Sequence, residues 1–462
     1  MSEHCGYIVK VEHLRPHTNA DRLQIATFFG NDTIVSLETK VGDIGIYFPD
    51  DLQLGAKYCE VNNLVRKKDE NGNQVGGYLD PVKRNIKAIK LRGEKSDGVY
   101  MPLSSLESFG DISTLNVGDP ITVFGGEEIC RKYIPVSNGG GGRRYNATAK
   151  KVKDYSCPTF FEHEDTEQLA YNLNAFKRGD EIEITLKAHG SSGRTAYLPV
   201  THYEKQNWFR KFFHLPVREH TEYEYIDGSR RVVLYEDKKA GFYESDDWRH
   251  AMGEKFRGKL RKGETVYYEI VGFQGPKGAP IMASVVNSKI KDKEFSKMYG
   301  PTTVFSYGCD PNNGYDGSYY DETGTLAYFE PCCDVYVYRM TMVNEDGDVV
   351  EYSPDFMRYR CEQIGVKTVM VFDHFIIPED CFDPGEWVKA RCEEYYDGPD
   401  PIGKTHVREG VVARILNRPK FTAYKIKNFS FKVLEGIAKD EATAPDLEEA
   451  QELIAEQECD AT

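Results

Sequence analysis

The chain has 462 residues, a length that corresponds to about three domains at roughly 150 residues each. Hydrophobic residues make up 40% of the sequence, and no apolar run approaches the roughly 20 residues that a membrane-spanning helix needs. We therefore expect a globular protein with no membrane association. The eleven cysteines are an odd number without a CxxC spacing, which argues against a disulfide framework and against a zinc ribbon.

The formal net charge of −15 is unevenly distributed. Residues 435–462 hold ten acidic side chains and one basic side chain, Lys439, and we expect this acidic tail to form a short solvated helix or to stay disordered. The rest of the chain is closer to neutral, so its charge does not exclude a nucleic-acid partner, because local basic strips decide such binding. The first residues lack the apolar stretch of a secretory signal, which predicts a cytoplasmic protein, or one of the host cytoplasm if a virus encodes it.

Residues 1–136 contain short β-rich runs separated by turn residues, a spacing typical of a small barrel. The runs are 6–11, 23–29, 33–37, 44–48, 86–91, 98–101 and 120–124. Stretches 16–23 and 87–98 resemble parts of OB-type domains that accompany certain RNA enzymes. A basic cluster lies around the second stretch: Lys83, Arg84, Lys87, Lys90, Arg92 and Lys95. It could follow a phosphate backbone, although lysines that protect a strand edge explain any one member equally well.

Four consecutive glycines mark a linker over residues 137–158, because glycine runs lose too much backbone entropy inside an element. After it, a capped helix is predicted to begin at Asp165. Strands then dominate, at 181–187, 195–198, 231–235, 266–271, 335–342, 407–415 and 422–427, with helices at 246–260 and 353–363. This order predicts an antiparallel α+β domain over residues 159–434.

The strongest local signal is Lys187, which ends an alternating strand and is followed by His189 and Gly190. The glycine allows a ligand to approach the backbone closely. A lysine placed there is a candidate nucleophile, which attacks only as the neutral amine. Taken alone, however, a lysine at a strand end is far more often an ordinary exposed charge.

Later strands carry further polar residues in apolar surroundings. Glu269 lies inside an apolar strand, where an unpaired carboxylate is costly to bury. Tyr338 and the tyrosine two residues before it share one strand face, which suits either base stacking or core packing.

The last two signals lie near the end of the chain. Glu409 directly precedes a glycine and an apolar strand. Lys425 and Lys427 are two residues apart on a strand, so they share a face and repel each other unless an anion lies near them.

The order Lys-x-His-Gly, Glu-x-x-Gly, aromatic strand, Glu-Gly-x-Val and Lys-x-Lys resembles motifs I, III, IIIa, IV and V of the covalent nucleotidyltransferases, and of the RNA ligases in particular. The resemblance spans residues 160–431. With an OB-type domain placed first, the chain is most similar to the Deinococcus-type RNA ligases, the RNA ligase 5 family. The resemblance implies an N-terminal OB-type β-barrel followed by an antiparallel-sheet nucleotidyltransferase domain.

The resemblance also implies nucleotide contacts. Lys187 would form the lysyl-adenylate, with His189 and Gly190 beside it in the nucleotide pocket. Glu269 would hold a ribose hydroxyl or a hydrated metal, and Tyr338 would stack on adenine.

The phosphate and metal contacts follow in the same way. Glu409 would position a divalent metal, Mg²⁺ or Mn²⁺, and Lys425 and Lys427 would contact the α-phosphate. The arginine of motif Ia is assigned to Arg230, with Arg194 as the competing candidate. Arg339 departs from the family pattern, because related ligases often have an acid after the aromatic residue.

The implied activity is ATP-dependent joining of RNA 3′-hydroxyl and 5′-phosphate ends, either free or at a nick in a duplex, by a monomer that acts in RNA repair. A GTP-dependent capping-type guanylyltransferase is one alternative, but those enzymes append a further OB domain, and the acidic stretch after Lys427 is too short for one. The other alternative is a nucleic-acid-binding protein whose OB domain works beside an inactive second domain. Labelling with ATP and with GTP separates the three.

Overall fold

The computed structural model describes residues 4–68, 74–133, 155–204, 218–231, 233–234, 247–272, 281, 297, 318–320, 326–328, 333–402 and 407–440. The chain forms two compact units that interleave along the sequence. The first unit comprises Met1–Val136, Glu167–Phe176 and Ile426–Asp446, and the second comprises Ser137–Thr166, Lys177–Lys425 and Leu447–Thr462. Most of the predicted glycine-rich linker (137–154) and most of the acidic tail (441–462) lie outside the described residues.

Short antiparallel strands build the N-terminal part of the first unit. They are β1 (Gly6–Lys10), β2 (Leu14–Pro16), β3 (Leu23–Phe28), β4 (Asn31–Ser36), β5 (Ile44–Phe48), β6 (Leu52–Leu54), β7 (Arg66–Lys68), β8 (Gln74–Gly76), β9 (Ile89–Leu91), β10 (Glu94–Ser96), β11 (Val99–Pro102), β12 (Pro120–Ile121), β13 (Val123–Phe124), β14 (Glu127–Glu128) and β15 (Cys130–Lys132). One sheet has the order β11-β5-β1-β12 and another the order β2-β3-β4, while the remaining strands pair two by two. A short helix, Ala56–Val61, follows β6.

Two apolar clusters form the core of this unit, one around Ile8, Phe48 and Leu106 and the other around Tyr7 and Tyr47. The buried positions of β1 and β5 come from runs that are apolar on both strand faces, which explains why these strands are central in their sheet. Within residues 4–68 and 74–133 the hydrogen-bonded sheets do not close into one barrel. The OB-type barrel therefore stays a prediction.

The helix Phe429–Asp440 belongs to the first unit and begins one residue after the last strand of the chain. Asn428 caps it by accepting a bond from the backbone N–H of Phe431 (3.1 Å). Lys432 anchors the helix, because its Nζ lies 2.7 Å from Asp97 and 3.3 Å from Asp50. Phe431 is completely buried on the same helix.

The prediction of a helix that begins at Asp165 is wrong. Residues Glu167–Gln168 are extended (β17), and a 3₁₀ turn follows over Leu169–Tyr171. Leu169 and Tyr171 are both buried, and two residues that are two apart lie on nearly opposite sides of an α-helix. The tighter 3₁₀ turn avoids that conflict.

The second unit is dominated by longer strands. They are β16 (Tyr155–Ser156), β18 (Glu181–Leu186), β19 (Ser191–Tyr203), β20 (Glu219–Gly228), β21 (Val233–Leu234), β22 (Glu264–Gly272), β23 (Ser318–Tyr320), β24 (Leu326–Tyr328), β25 (Cys333–Val343), β26 (Val349–Glu351), β27 (Lys367–Thr368), β28 (Val371–Ile376), β29 (Gly410–Ile415) and β30 (Thr422–Lys427). The large sheet has the order β21-β20-β19-β22-β25-β26, with β16 paired to β19 and β27 paired in parallel to β25. A second sheet has the order β30-β29-β18-β28.

Three helices are described in this unit: Asp247–Glu254, Pro354–Ile364 and Pro384–Glu393. The predicted helix at 353–363 is confirmed: Ser353 caps it, and Gly365 ends it in the left-handed conformation (φ 81°). The helix predicted at 246–260 ends early, at Glu254, and turns follow it. No helix in the described part of the chain is long and apolar enough to cross a membrane. The prediction of a sheet-rich chain with few helices is confirmed.

Candidate active site

Lys187 lies directly after the end of β18, an interior strand of the second sheet. The strand buries Ile182, Ile184 and Leu186 on one face. Because side chains alternate between the two faces of a strand, this burial fixes the orientation of the strand and the direction in which the chain continues after it. The backbone N–H of Lys187 donates to the carbonyl of Gly410 (3.1 Å). This bond brings the end of β18 to the start of β29.

Glu409 precedes β29 and therefore meets Lys187. Its Oε1 lies 2.6 Å from Lys187 Nζ, and its Oε2 lies 3.2 Å from His189 Nδ1. Glu409 is buried, whereas the Lys187 side chain is 24% exposed. One carboxylate thus links the lysine and the histidine that the sequence places two residues apart.

Glu269 of β22 brings a second carboxylate to this region. Residue Ser192 pairs with it across β19 and β22, and Ser192 Oγ donates to Glu269 Oε2 (3.4 Å). Burial raises the pKa of Glu269 from 4.5 to about 7; the Lys187 ammonium opposes this shift and the Glu409 carboxylate adds to it. Lys187, Glu409 and Glu269 therefore form one electrostatic group.

Gly190 lies where no larger residue fits. A Cβ at this position would meet the carbonyl oxygen of Ile270 and approach the side chain of Glu269. The glycine thus lets the segment after Lys187 lie against β22. The sequence motif predicted a close approach at this residue, and the structure shows that the neighbour is the protein's own strand.

Tyr338 of β25 lies near the same group. Burial raises the pKa of its hydroxyl well above the ordinary value, and the charge of Glu269 contributes in the same direction. Its ring lies 5.1 Å from the ring of His163. The stacking role predicted for Tyr338 stays a prediction.

The two candidate arginines differ in what they contact. Arg194 is buried: it donates to the carbonyls of Phe161 and Arg231 and lies over the ring of Phe160 (4.3 Å). Arg230 is partly exposed, and its Nε donates to Asp165 (3.0 Å). The charge of Arg230 also lowers the pKa of Glu269, so its charge reaches this carboxylate; the assignment of Arg230 to motif Ia stays a prediction.

Sequence reasoning missed the segment 160–165, which crosses this face of the sheet. Its residue His163 packs between the rings of Tyr338 and Tyr267, and its backbone N–H donates to the carbonyl of Arg230 (3.2 Å). Burial, helped by Arg230, lowers the pKa of His163 to about 3, so its imidazole is neutral. A short polar stretch between a linker and a turn gives no periodic pattern that could have revealed it.

Arg339, which departs from the family pattern, has a structural role. It donates to Glu351 (2.9 Å) and to Glu164 (3.2 Å), and it lies over the ring of Tyr267 (4.8 Å). Its side chain therefore ties the 160–165 segment to β25 and β26.

Lys425 and Lys427 lie on β30, as predicted, and both are partly buried. Lys425 belongs to the second unit, together with Lys187, His189, Glu269 and Glu409, whereas Lys427 belongs to the first unit. Lys427 Nζ is paired with both carboxylate oxygens of Glu435 (2.9 and 3.1 Å).

No family model matches the sequence, and no curated protein matches it significantly. The structure, by contrast, resembles solved structures of an RNA ligase from Naegleria gruberi. A Lys-to-Met mutant of that ligase with AMP and Mn is 16% identical over 94% of this chain and 99% of its own, with a TM-score of 0.54. Two further structures of that ligase have the same values as each other: a Lys-to-Ala mutant with ATP and Mn, and the ligase with pyrophosphate. Each is 16% identical over 93% of this chain and 98% of its own, with a TM-score of 0.52. Across nearly its whole length, this chain has the fold of these RNA ligases.

Proposed function

We propose that the chain is an ATP-dependent RNA ligase that joins a 3′-hydroxyl to a 5′-phosphate through a lysyl-AMP intermediate on Lys187. The observation that carries the proposal is the 2.6 Å contact between Lys187 Nζ and a buried carboxylate, Glu409, with a second carboxylate, Glu269, in electrostatic reach. The RNA ligase fold supports it.

The two carboxylates fit a divalent cation. Glu409 helps to raise the pKa of Glu269, so the two repel each other, and a cation held by both relieves that repulsion. No group of three or more His, Cys, Asp or Glu side chains suited to a metal occurs in the described part of the chain, so water and phosphate oxygens would complete the shell, as Mg²⁺ often requires. Such an ion, Mg²⁺ or Mn²⁺, supplies charge neutralisation for phosphoryl transfer.

The resting contact sets the first chemical requirement. Lys187 Nζ lies in a salt bridge with Glu409, and attack requires the neutral amine. The lysine therefore loses its proton before its nitrogen bonds to the α-phosphorus of ATP and the bond to pyrophosphate breaks. His189, on the other oxygen of Glu409, keeps that carboxylate oriented while Lys187 moves.

Two further in-line transfers complete the reaction. An oxygen of the RNA 5′-phosphate attacks the lysyl-AMP phosphorus, and the bond to Lys187 breaks. The 3′-hydroxyl then loses its proton and attacks the 5′-phosphorus, and AMP leaves as the strand is sealed. Lys425 and Lys427 supply positive charge at the α-phosphate, and alignment of the ends supplies the rest of the rate.

We also infer that residues 1–136 form an OB-type RNA-binding domain, as in Deinococcus-type ligases. The hairpin of β9 and β10 supports this inference, because Lys90 lies directly opposite Lys95. Two lysines that face each other concentrate positive charge, which attracts a phosphate backbone. We propose RNA repair as the use of this activity, with a nicked duplex as one substrate to test.

Incubation with ATP labelled at the α-phosphate tests the proposal. The wild-type chain should acquire a covalent label, Lys187→Ala should not, and Lys177→Ala, which changes an exposed lysine just before β18, should label normally. Lys187→Ala should still seal a pre-adenylylated strand, because such a strand bypasses the first two steps and the last step does not use the amine. Labelling by GTP instead would indicate a capping-type enzyme, and no labelling by either would indicate a binding protein.

A further inference from the structure

Three tyrosines lie side by side on one face of the large sheet. Tyr197 of β19 is directly opposite Tyr225 of β20, and Tyr223 lies two residues away on β20. The rings of Tyr197 and Tyr225 are stacked, with centroids 4.6 Å apart and an interplanar angle of 18°, and the Tyr223 ring lies 5.6 Å from that of Tyr197. All three side chains are partly exposed. We call them the tyrosine ladder.

A basic turn lies beside this ladder, between the helix that ends at Glu254 and β22. It carries five cations: Lys255, Arg257, Lys259, Arg261 and Lys262. The first three contact other parts of the fold. Lys255 pairs with Asp334 (2.6 Å), Arg257 pairs with Asp227 (2.9 Å), and Lys259 donates to the carbonyl of Ile364 (2.8 Å).

The other two cations are different. Arg261 and Lys262 are exposed, and neither forms a salt bridge with any residue that the structure describes. Lys262 Nζ instead lies 4.6 Å from the centre of the Tyr223 ring. Two adjacent cations without an ion pair among the described residues, next to partly exposed aromatic rings, are the elements of a surface that binds single-stranded nucleic acid.

The turn is held firmly in place. The backbone N–H of Gly263 donates to the carbonyl of Tyr197 (2.8 Å). Gly263 has a φ of 89°, and a Cβ there would collide with the carbonyl oxygen of Val343. Arg261 and Lys262 are therefore fixed beside the ladder before any ligand arrives, which reduces the entropy that binding costs.

The ladder faces away from the candidate active site. Ser192 of β19 points its hydroxyl at Glu269, and Tyr197 is an odd number of residues further on, so it points to the opposite face. The carboxylate of Glu224 also lies on the face opposite the ladder, where it pairs with His202 (2.6 Å). Asp227, which shares the ladder face of β20, is neutralised by its pair with Arg257 (2.9 Å).

We propose that the tyrosine ladder, with Arg261 and Lys262, binds a single-stranded segment of the RNA substrate away from the ends being joined. The inference deepens the proposed ligase function and rests on it. Bases would stack on the exposed part of Tyr223, and two phosphates would contact Arg261 and Lys262. Because the surface lies on the other side of the sheet from Lys187, it contributes to RNA affinity and not to adenylylation.

Fluorescence anisotropy with a short labelled RNA strand, at several KCl concentrations and with the full chain, tests the proposal. Arg261→Gln/Lys262→Gln should reduce the slope of log affinity against log salt by about 1.4, or about 0.7 for each phosphate contact. Tyr223→Leu, which keeps apolar volume, should weaken binding about tenfold, the loss of one stacked base. Lys177→Gln, an exposed lysine before β18, is the matched control and should bind RNA normally. Both test variants should keep the wild-type rate of labelling by ATP.

Wild-type RNA affinity and salt slope in both test variants would overturn the proposal and would favour an acidic protein partner. Parallel loss of RNA binding and of ATP labelling would also overturn it, because the turn would then support the fold alone. Lys262→Gln by itself, a change of one exposed side chain, should still lower the salt slope by about 0.7. If the wild type acquired no label from ATP, the ligase proposal would fail, while the anisotropy data would still decide whether this surface binds RNA.

Discussion

Replacing Glu269 with glutamine should stabilise the protein above neutral pH. Burial raises the pKa of this carboxyl group from 4.5 to about 7, the nearby Lys187 ammonium opposes the shift, and the Glu409 carboxylate adds to it. Because the folded-state pKa exceeds the unfolded one, the stability linked to this group is fully present below about pH 4.5 and is lost as the pH rises through about 7. At about 1.36 kcal/mol per pKa unit the loss is ~3 kcal/mol, and solvent screening of the partly exposed carboxylate reduces it to about 2 kcal/mol.

Urea unfolding without divalent metal, at about pH 5 and about pH 8.5, measures this difference. Glu269→Gln should equal the wild type at the lower pH and exceed it at the higher one. Glu183→Gln is the control of opposite sign, since Glu183 is buried in a 2.7 Å pair with Arg358. Its loss leaves Arg358 only its exposed partner, Asp355. Added Mn²⁺ should restore the wild type at high pH and affect Glu269→Gln less. A Glu269→Gln effect that is equal at both pH values, or a more stable wild type at high pH, would refute this account of the site's electrostatics.

Three further outcomes are expected. Tyr338→Ala should raise the ATP concentration needed for half-maximal labelling; an unchanged requirement would return the ring to core packing. Arg194→Ala should lower the free energy of unfolding by about 3 kcal/mol, because it removes a fully buried cation that donates to two carbonyls. Arg230→Ala should instead reduce labelling by ATP more than it reduces stability. Thermal melting and ATP labelling of both variants measure the two effects. Lys432→Met should cost about 3 kcal/mol at about pH 8, since it leaves buried carboxylates unpaired. It should cost less at about pH 5, where Asp50, whose pKa burial raises to about 6, takes up a proton; equal losses at the two pH values in urea unfolding would contradict this.

The sequence predicted the central part of the candidate site because strand patterns carry it. Alternation in 181–187 placed Lys187 at a strand end, and Glu409 was predicted within a strand over 407–415. The structure begins that strand at Gly410, and the two residues meet because β18 and β29 pair. The end of β30 at Lys427 was predicted to the residue. Such short-range signals suffice where an element's own pattern fixes its ends.

The sequence could not predict contacts that depend on long-range pairing. Arg194 and Arg230 look alike in the sequence, and only the burial of Arg194 under the 160–165 segment distinguishes them. The role of His163 likewise depends on two strands more than 100 residues further along the chain. The helix predicted at Asp165 failed because its capping residues are local signals, while burial of Leu169 and Tyr171 decides the conformation.

The buried ammonium of Lys432 has a consequence for any attempt to separate the chain into parts. Its two carboxylate partners come from residues before position 100, yet it follows the strand of Lys425 and Lys427 by only a few residues. A protease cut or deletion that removed the N-terminal residues would remove both carboxylate partners of Lys432 and would leave the neighbouring Phe431 without the rest of its unit. The C-terminal portion alone would then lack the contacts that hold its last helix, so fragments cut along the linear sequence would be poor substitutes for the whole chain.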